Sequence, residues 1–295
     1  MKYIFPLFLI SFSALAQQNF DTVKIRPVKI TESIYLLKGS GGNIGLITGK
    51  DGNLIIDDQF APLSEKIKAA VQSLDKGFIK YLINTHLHGD HTGGNENFRK
   101  EGVTIIAQNH VRERMMKEQY NAVRKTTIPP SNPDALPVIT FKDHLELHIN
   151  GEDLEVFHFN FGSHTDGDAI IHFKNANVYH MGDVFVRYGY PFIDMGNGGS
   201  INGFVKVLEL ALARIDDKAV IIPGHGELAT RADVKVFRDR LVDIRDQVAA
   251  ALKKGKKPEE IPSLGITDKY DAEWGKGFLK GKDFVLMIAE ELSKK

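Results

Sequence analysis

The sequence lacks cysteine, and it has no excess of either charge. Without cysteine among the 295 residues, disulfide bonds and thiolate metal ligands are both excluded. Lys and Arg number 38, and Asp and Glu also number 38, so no basic surplus indicates a nucleic-acid partner. After the first sixteen residues, no apolar run approaches the roughly 20 residues of a membrane-spanning helix. We therefore predict neither a nucleic-acid partner nor a membrane anchor for the mature chain.

The first sixteen residues have the features of a secretory signal peptide. Lys2 provides a basic start, the apolar run YIFPLFLISFSAL follows, and Ala14-Leu15-Ala16 matches an A-x-A cleavage site. We predict that residues 1–16 are removed and that the protein is periplasmic or secreted. The hydrophobic share of 42% can fill a core, so we predict a single domain over residues 17–295. Its helical C-terminal extension, from about residue 255, is expected to pack against the rest.

The order of predicted elements indicates an α/β fold. Strands followed by a helix occur twice along the chain, which two mixed sheets with helices on their outer faces would satisfy. Residues 126–137 contain four prolines and are predicted to be a loop. Hairpins are predicted at residues 28–39, 43–58 and 145–162, and helices at residues 62–74 and 109–122, from Ser200 to Arg214, and over most of the chain after Ala232.

The stretch INTHLHGDHTGGN, residues 83–95, concentrates metal-ligand residue types directly after a predicted buried strand. Histidine accounts for only 11 residues of the chain, yet His86, His88 and His91 lie within six positions, together with Asp90. In an extended segment His86 and His88 point to the same side, so they can hold one metal ion. Asp90 and His91 follow where the chain turns and can point to a second ion. Imidazole and carboxylate are the usual zinc ligands when cysteine is absent.

Three later residues occupy similar positions between a strand and a glycine turn. They are His164 in FGSHTDGD, Asp183 in VYHMGDVF and His225 in IIPGHGE, and each is a candidate metal ligand. The other histidines of the folded part lie within predicted strands or at unremarkable positions, and we expect them to be structural: His110, His144, His148, His158, His172 and His180.

Taken in order, H-x-H-x-D-H, SHTDGD, MGD and PGHG resemble the five-motif signature of the metallo-β-lactamase superfamily. The resemblance extends over nearly the whole mature chain, and NLIIDD, ending near Asp57, matches an early strand of the family. It implies a four-layer αβ/βα sandwich with the metals at the sheet edges. The signal peptide places the sequence in an exported branch near the first-subclass β-lactamases.

The same resemblance implies a centre with two Zn²⁺ ions per monomer. His86, His88 and His164 resemble the ligands of the first zinc, and Asp90, His91 and His225 those of the second. Asp183 matches the carboxylate that bridges the metals in many members, at a position where first-subclass β-lactamases carry cysteine. A metal-bound hydroxide would attack a carbonyl, with Asp90 as the catalytic residue that orients it and shuttles a proton. Asp57 would support the cluster loop through hydrogen bonds.

Substrate-binding residues are predicted after Asp183, in FVRYGYPFIDMGNGGS. Arg187 could bind a substrate carboxylate, and Asn197 could help to polarise the carbonyl, at offsets similar to those of the first-subclass β-lactamases. The glycine-rich residues 39–45 fit either a mobile flap or a plain hairpin turn.

These features predict an exported dinuclear zinc hydrolase that acts on a small molecule with a hydrolysable carbonyl. A β-lactamase, or a promiscuous β-lactamase-like hydrolase that contributes to antibiotic resistance, is the first interpretation. A lactonase or other esterase and a glyoxalase-II-like thioesterase use the same metal chemistry and stay open. A non-catalytic metal-binding protein is the alternative from another class.

Overall fold

The computed structural model describes residues 19–121 and 126–294. The predicted signal peptide lies outside these residues. The strands are β1 Arg26–Lys29, β2 Ile34–Lys38, β3 Ile44–Ile47, β4 Asn53–Ile56, β5 Ile79–Ile83, β6 Thr104–Gln108, β7 Gln119–Asn121, β8 Thr126–Ile128, β9 Ile139–Phe141, β10 His144–Ile149, β11 Glu152–Phe157, β12 Ile170–Phe173, β13 Val178–His180 and β14 Val220–Ile222. The α-helices are α1 Ser64–Leu74, α2 Gly89–Thr92, α3 Asn95–Lys100, α4 Asn109–Met115, α5 Ile201–Arg214, α6 Arg231–Lys253, α7 Asp268–Trp274 and α8 Gly281–Ser293.

Two mixed sheets form the centre of the molecule. One has seven strands in the order β1-β2-β3-β4-β5-β6-β9, and the other has five in the order β10-β11-β12-β13-β14. In the first sheet, β4, β5, β6 and β9 run parallel to one another. In the second, only β13 and β14 are parallel. A short third sheet pairs β7 with β8.

Alternating side chains of the strands supply two different cores. In β4, Leu54 and Ile56 join a core shared with the second sheet, whereas Ile55 joins a core on the opposite face. This period of two follows from the pleat of a strand and makes both faces of the first sheet apolar. The shared core contains Val156 and Ile171 of the second sheet, so the two sheets pack face to face.

Helices cover the two outer faces. Ile67 and Val71 of α1 pack against the outer face of the first sheet. Helices α5, α6 and α8 cover the second sheet, where Phe204, Leu241 and Phe284 are buried. Helix, sheet, sheet and helix are thus four layers, which confirms the expected αβ/βα sandwich. No helix within the described ranges is both long and apolar enough to cross a membrane.

The predicted hairpins and most predicted helices are present. Strands β1 and β2, β3 and β4, and β10 and β11 pair antiparallel, and Ser200 caps α5 by accepting a hydrogen bond from the Gly203 amide at 2.9 Å. The helix predicted over residues 109–122 was too long, since α4 ends at Met115. The Gln119 side chain donates to the Arg114 carbonyl at 2.6 Å, and the chain then forms β7. Strand β8 likewise occupies part of the predicted loop.

The C-terminal region packs against the second sheet's helical layer. Trp274 of α7 and Phe284 of α8 both contact the buried ring of Tyr190, with ring centroids 5.4 and 5.2 Å apart. Helix α8 also buries Val285 and Ile288 in the same core. Residues of this C-terminal region therefore contribute to the core.

Candidate metal centre

The cluster loop begins at the carboxyl end of β5 and passes directly into α2. His86 and His88 precede Gly89, the first residue of α2, while Asp90 and His91 lie in its single turn. Asp183 follows β13 in a 3-10 turn, and His225 follows β14. Because carboxyl ends of neighbouring parallel strands lie at one edge of a sheet, these residues reach the cluster loop from the second sheet.

The first triad consists of His86, His88 and His164, whose candidate ligand atoms lie within 4.8 Å of one another. His164 Nε2 is 2.8 Å from His88 Nδ1. The Nε2 atom of His86 is buried and has no hydrogen-bond partner among the described residues. Three imidazole nitrogens therefore converge on one point.

The second triad consists of Asp90, His91 and His225, again within 4.8 Å. His91 Nε2 is 3.3 Å from His225 Nε2. Asp90 Oδ2 is 3.3 Å from His225 Nε2 and 3.7 Å from His91 Nε2. Two imidazoles and one carboxylate thus form a second convergent set beside the first.

Asp183 lies between the two triads. Its Oδ1 atom is 3.4 Å from His91 Nε2 and 3.5 Å from His225 Nε2. Its Oδ2 atom is 3.6 Å from His164 Nε2. One oxygen therefore faces each triad. The structure brings all seven predicted ligand residues together.

Hydrogen bonds on the far side of the rings fix which nitrogen faces the centre. His164 Nδ1 donates to the Phe192 carbonyl at 2.7 Å. His88 Nε2 contacts Asp194 Oδ2, and His91 Nδ1 contacts Asp57 Oδ2, both at 2.8 Å. A ring nitrogen that donates outward leaves the lone pair of the other nitrogen inward, which is the arrangement that metal-binding histidines use.

Asp57 connects the two triads through buried hydrogen bonds. It accepts hydrogen bonds from the Thr85 amide at 2.7 Å and the Thr85 hydroxyl at 2.8 Å, in addition to its contact with His91. The Thr85 hydroxyl is 3.0 Å from His86 Nδ1. Asp57 has a φ of 64°, a left-handed conformation that is uncommon for residues other than glycine. Such strain occurs where surrounding contacts demand it, and functional sites concentrate it.

Glycine at position 42 allows the β2–β3 turn to approach the cluster. A Cβ atom built on Gly42 would lie 2.2 Å from the His91 ring. The Gly42 amide donates to the Asp90 carbonyl at 3.0 Å, and the Asn43 amide donates to the Gly224 carbonyl at 2.7 Å. Residues 39–45 thus form a hairpin turn that is bonded to both ligand loops.

Charge differs between the triads. Burial lowers the pKa of His86 well below its ordinary value and also lowers that of His164. At the second triad burial acts in the same direction and is the largest single cause, but the carboxylates of Asp183 and Asp90 together outweigh it. The pKa of His91 is raised well above its usual range, and that of His225 to about 9.

The donor set fits divalent metal ions. His88 Nδ1 and His164 Nε2 lie 2.8 Å apart, and with both lone pairs directed inward they would repel unless a proton or a metal ion were bound there. The neighbouring histidines charge positively to balance Asp90 and Asp183, and metal ions would replace those protons. Nitrogen and oxygen donors without sulfur suit zinc, and also iron or manganese.

One face of the centre is open to solvent. The side chains of His88, Asp90 and His225 are 18%, 31% and 20% exposed, whereas those of His91 and His164 are 0% and 2% exposed. A substrate must therefore approach along His88, Asp90 and His225.

The two predicted substrate-binding residues have other partners. The Arg187 guanidinium donates to the Leu228 carbonyl at 3.0 Å and is 3.6 Å from Asp233. Its backbone amide donates to the His225 carbonyl at 2.9 Å, so Arg187 supports the His225 loop. Asn197 is buried and donates to Asp194 Oδ2 at 2.8 Å. Neither side chain has a polar contact with the seven ligand residues among the described contacts, and their substrate roles stay predictions.

Sequence reasoning missed Thr85, Asp194 and Arg114. Arg114 binds both oxygens of Asp166 and donates to Asn197 Oδ1 at 3.1 Å, and Asn197 in turn holds Asp194 against His88. Thr85 immediately precedes His86, so its position beside the motif indicated that it lies close to the ligands. Nothing in the sequence indicates that Arg114 and Asp194 belong to one network.

A family model described as the metallo-beta-lactamase superfamily matches residues 37–225. This range covers more than half of the chain and includes all seven ligand residues. The protein therefore belongs to the metallo-β-lactamase superfamily, whose members are metal-dependent hydrolases.

Two curated proteins are similar to parts of the chain. The alkyl/aryl-sulfatase BDS1 of Saccharomyces cerevisiae is 23% identical over 295 aligned positions, which cover 83% of this chain and 45% of that protein. The hydroxyacylglutathione hydrolase of a Polaromonas species is 25% identical over 165 positions, covering 56% of this chain and 55% of that enzyme. The chain thus spans about half the length of these relatives.

Solved structures with the same fold include three informative examples. A metallo-β-lactamase from Pontibacter korlensis has a TM-score of 0.62 at 16% identity and covers 75% of this chain and 100% of its own. The metallo-β-lactamase DIM-1 has a TM-score of 0.60 at 18% identity, with coverage of 74% and 97%. A double mutant of the sec-alkyl sulfatase PisA1 has a TM-score of 0.68 at 16% identity, with coverage of 91% and 50%. At these identities the likeness concerns the fold alone.

Proposed function

We propose that this superfamily member is a dinuclear zinc hydrolase that cleaves esters, thioesters and, more slowly, β-lactams. It is thus a promiscuous β-lactamase-like hydrolase. The observation that carries the proposal is the position of Asp183, whose two oxygens face different triads at 3.4–3.6 Å from three imidazole nitrogens. A carboxylate shared in this way suits two adjacent metal ions that act on one substrate.

A bound pair of zinc ions would polarise a carbonyl and lower the pKa of water from about 16 to about 7. His86, His88 and His164 would hold one ion, and Asp90, His91 and His225 the other. Asp90 is the most exposed of these groups, at 31%. Its carboxylate can bind a metal ion and can also accept a proton at the open face. We therefore assign to Asp90 the role of orienting the attacking water and moving its proton.

Asp183 favours reactive carbonyls over resistant amides. If Asp183 contacted both bound ions, its negative charge would reduce the net positive charge of the pair and would weaken the polarisation of a carbonyl oxygen. Esters and thioesters need less polarisation than lactams. We therefore expect modest β-lactam hydrolysis, and Asp183 favours an esterase or thioesterase as the principal activity.

A sulfate ester hydrolase is the second candidate, since an alkyl/aryl-sulfatase matches 83% of this chain. A sulfate monoester carries a negative charge and needs cationic partners. Among the described residues, Arg114 and Arg187 contact the ligand-bearing loops; Arg114 already binds Asp166, and Arg187 approaches Asp233. Neutral carbonyl substrates therefore fit these surroundings better.

A hydrolysis screen of zinc-loaded protein tests the proposal. The panel contains a nitrophenyl ester, an S-acyl thioester, a lactone, a chromogenic cephalosporin and an alkyl sulfate. We expect turnover in the order ester and thioester, then lactone, then lactam, with Asp90→Asn as the matched control that lacks the carboxylate. Turnover of the sulfate alone would favour the second candidate. Zinc binding without any turnover would favour the non-catalytic alternative.

We also propose that the protein is exported to the periplasm or secreted. Support comes from the basic start, apolar run and A-x-A site of residues 1–16. Expression of the full chain in a Gram-negative host should yield a product that begins at Gln17, as read by intact mass. A product that retains residues 1–16 and stays in the cytoplasm would contradict the proposal.

A further inference from the structure

A cleft of about 270 Å³ adjoins the open face of the metal centre. One of its walls is His88, a residue of the first triad, and Asp194 lies beside it. A group bound in this cleft would therefore contact the centre on the side of the first triad. At about 30 Å³ for each water-sized unit, the cleft of about 270 Å³ holds about nine such units, which is room for a phenyl ring or a chain of up to about eight carbons.

Apolar side chains form a continuous part of the lining, beside polar ones such as Thr92, Gln119 and Ser131. Leu87, Met115 and Ala135 belong to, or pack against, a small separate core. Tyr120 and Ile128, from the β7–β8 pair, are 58% and 48% exposed, and both line the cleft. Apolar surface exposed at the edge of a polar centre is typical of a binding site for an apolar group.

The net formal charge of the side chains that line the cleft is small. Glu96 and Lys117, one of each sign, are the charged side chains that line it apart from Asp194, which is bonded to His88 and Asn197. A strongly anionic or cationic substituent would meet little net opposite charge in the cleft. The cleft therefore suits a neutral substituent.

Two further aromatic rings extend the apolar surface beside the same ligands. The Phe192 ring lies 5.9 Å from that of His88 and 6.0 Å from that of His164, centroid to centroid. Phe278 is 56% exposed and lies 6.3 Å from Phe192. Segments that are distant in sequence thus contribute apolar surface to the part of the open face near the first triad.

We propose that this cleft binds the acyl side of the substrate and selects neutral, apolar acyl groups of about four to eight carbons or one aromatic ring. The inference rests on the proposed function, since it assigns the cleft to the carbonyl substrate of that hydrolase. We assign the cleft to the acyl side of the substrate because the cleft adjoins His88 of the first triad. The exposed Asp90 and His225 belong to the second triad, and we place the leaving alcohol on that side.

Two ester series on the zinc-loaded protein test the assignment. In the first, the acyl chain of 4-nitrophenyl esters grows from acetyl to decanoyl with a constant leaving group. We expect kcat/KM to rise about fourfold for each methylene that enters the cleft, and to stop rising near six to eight carbons. In the second series, acetyl esters carry alcohols of increasing length, and we expect a much smaller change.

Substitutions in the cleft and a matched surface control locate the effect. Ile128→Ala should reduce the hexanoyl-to-acetyl ratio of kcat/KM several-fold, and Ala135→Phe should reduce it further by filling the cleft. Val236→Ala is the control, because Val236 is equally exposed at 48% but lies on α6. The control should leave the ratio unchanged.

A binding measurement on metal-free protein avoids dependence on turnover. Methyl NMR should show shifts of the Met115 and Ile128 signals with hexanamide and not with acetamide at the same concentration. A flat acyl series, or an unchanged ratio in Ala135→Phe, would overturn the cleft assignment while leaving the hydrolase proposal intact. Absence of any ester, thioester or lactam turnover, with hexanamide still bound, would instead refute the hydrolase proposal.

Discussion

The first triad presents three imidazoles, whereas the second combines two imidazoles with Asp90 and lies against Asp183. Burial lowers the pKa of His86 and His164, so these residues are neutral bases ready to bind a metal ion. The carboxylates raise the pKa of His91 and His225, so protons must leave before a metal ion binds there.

The triads also differ in how they are held. His88 is oriented by Asp194, which Asn197 and Arg114 support from one side. His91 is oriented by Asp57, whose carboxylate is fully buried and also binds Thr85. Ligands with rigid outer partners keep their geometry without a metal ion. The first triad can therefore serve as the fixed half of the centre, and the second, more exposed triad as the half where protons move.

Asp90→Asn should have the largest effect on activity. The amide is neutral, so it is a poor ligand and cannot accept a proton, and turnover should fall at least about 100-fold. Circular dichroism and melting temperature should stay close to those of the parent, because Asp90 is partly exposed. Steady-state kinetics at saturating zinc provide the measurement. Parental turnover with a parental zinc content would show that Asp90 has neither role.

Asp183→Cys should separate the two metal affinities. A thiolate at this position can bind the second ion, but a single sulfur atom cannot reach both triads as the two carboxylate oxygens do. We expect zinc affinity at the second triad to change more than that at the first, as measured by competition with a chromogenic chelator. Equal loss at both triads would support a full bridge. No change at either would show that Asp183 is not a ligand.

The sequence predicted the ligands well because they follow a simple structural rule. Each ligand lies in the segment that follows the carboxyl end of an apolar strand, and these segments contain glycines that let the chain turn. Strand periodicity places those ends, and parallel strands such as β13 and β14 bring their ends to one edge. Asp183 and His225 could thus be assigned from local sequence patterns. The packing of the two sheets then brings these residues to the other ligands.

The support around the ligands could not be predicted in the same way. Asp194 reaches His88 across 106 positions of sequence, and Arg114 reaches Asn197 across 83. Such contacts depend on how loops pack, and one sequence carries no local signal for them. Arg187 shows the opposite case, since its residue type suggested a substrate contact but its guanidinium binds the Leu228 carbonyl. The early end of α4 also depends on a tertiary contact, made by Gln119.

Two matched carboxylate substitutions should act on different triads. Asp57→Asn removes the anion that orients His91, and Asp194→Asn removes the one that orients His88. Loss of such outer partners typically weakens metal binding roughly 10- to 100-fold. We expect Asp57→Asn to weaken zinc binding mainly at the second triad and Asp194→Asn mainly at the first, by isothermal titration calorimetry. If both variants weaken both sites equally, the triads are not held independently.

A smaller effect is expected from pH on the metal-free protein. The pKa of His225 in the folded chain is raised to about 9, above the value of about 6.5 in an unfolded chain. Folding therefore gains stability from its protonation, fully present below pH 6.5 and lost as pH rises through about 9. The pKa of His91 shifts in the same direction, while burial shifts the pKa values of His86 and His164 the other way. The melting temperature of chelator-treated protein should thus fall by several degrees between pH 6.5 and 9, at about 2–4 °C for each kcal/mol.

Zinc-loaded protein should not show this fall, because its histidines are already deprotonated, and His225→Gln should reduce it. An equal fall in the zinc-loaded and metal-free samples would place the titrating groups outside the second triad.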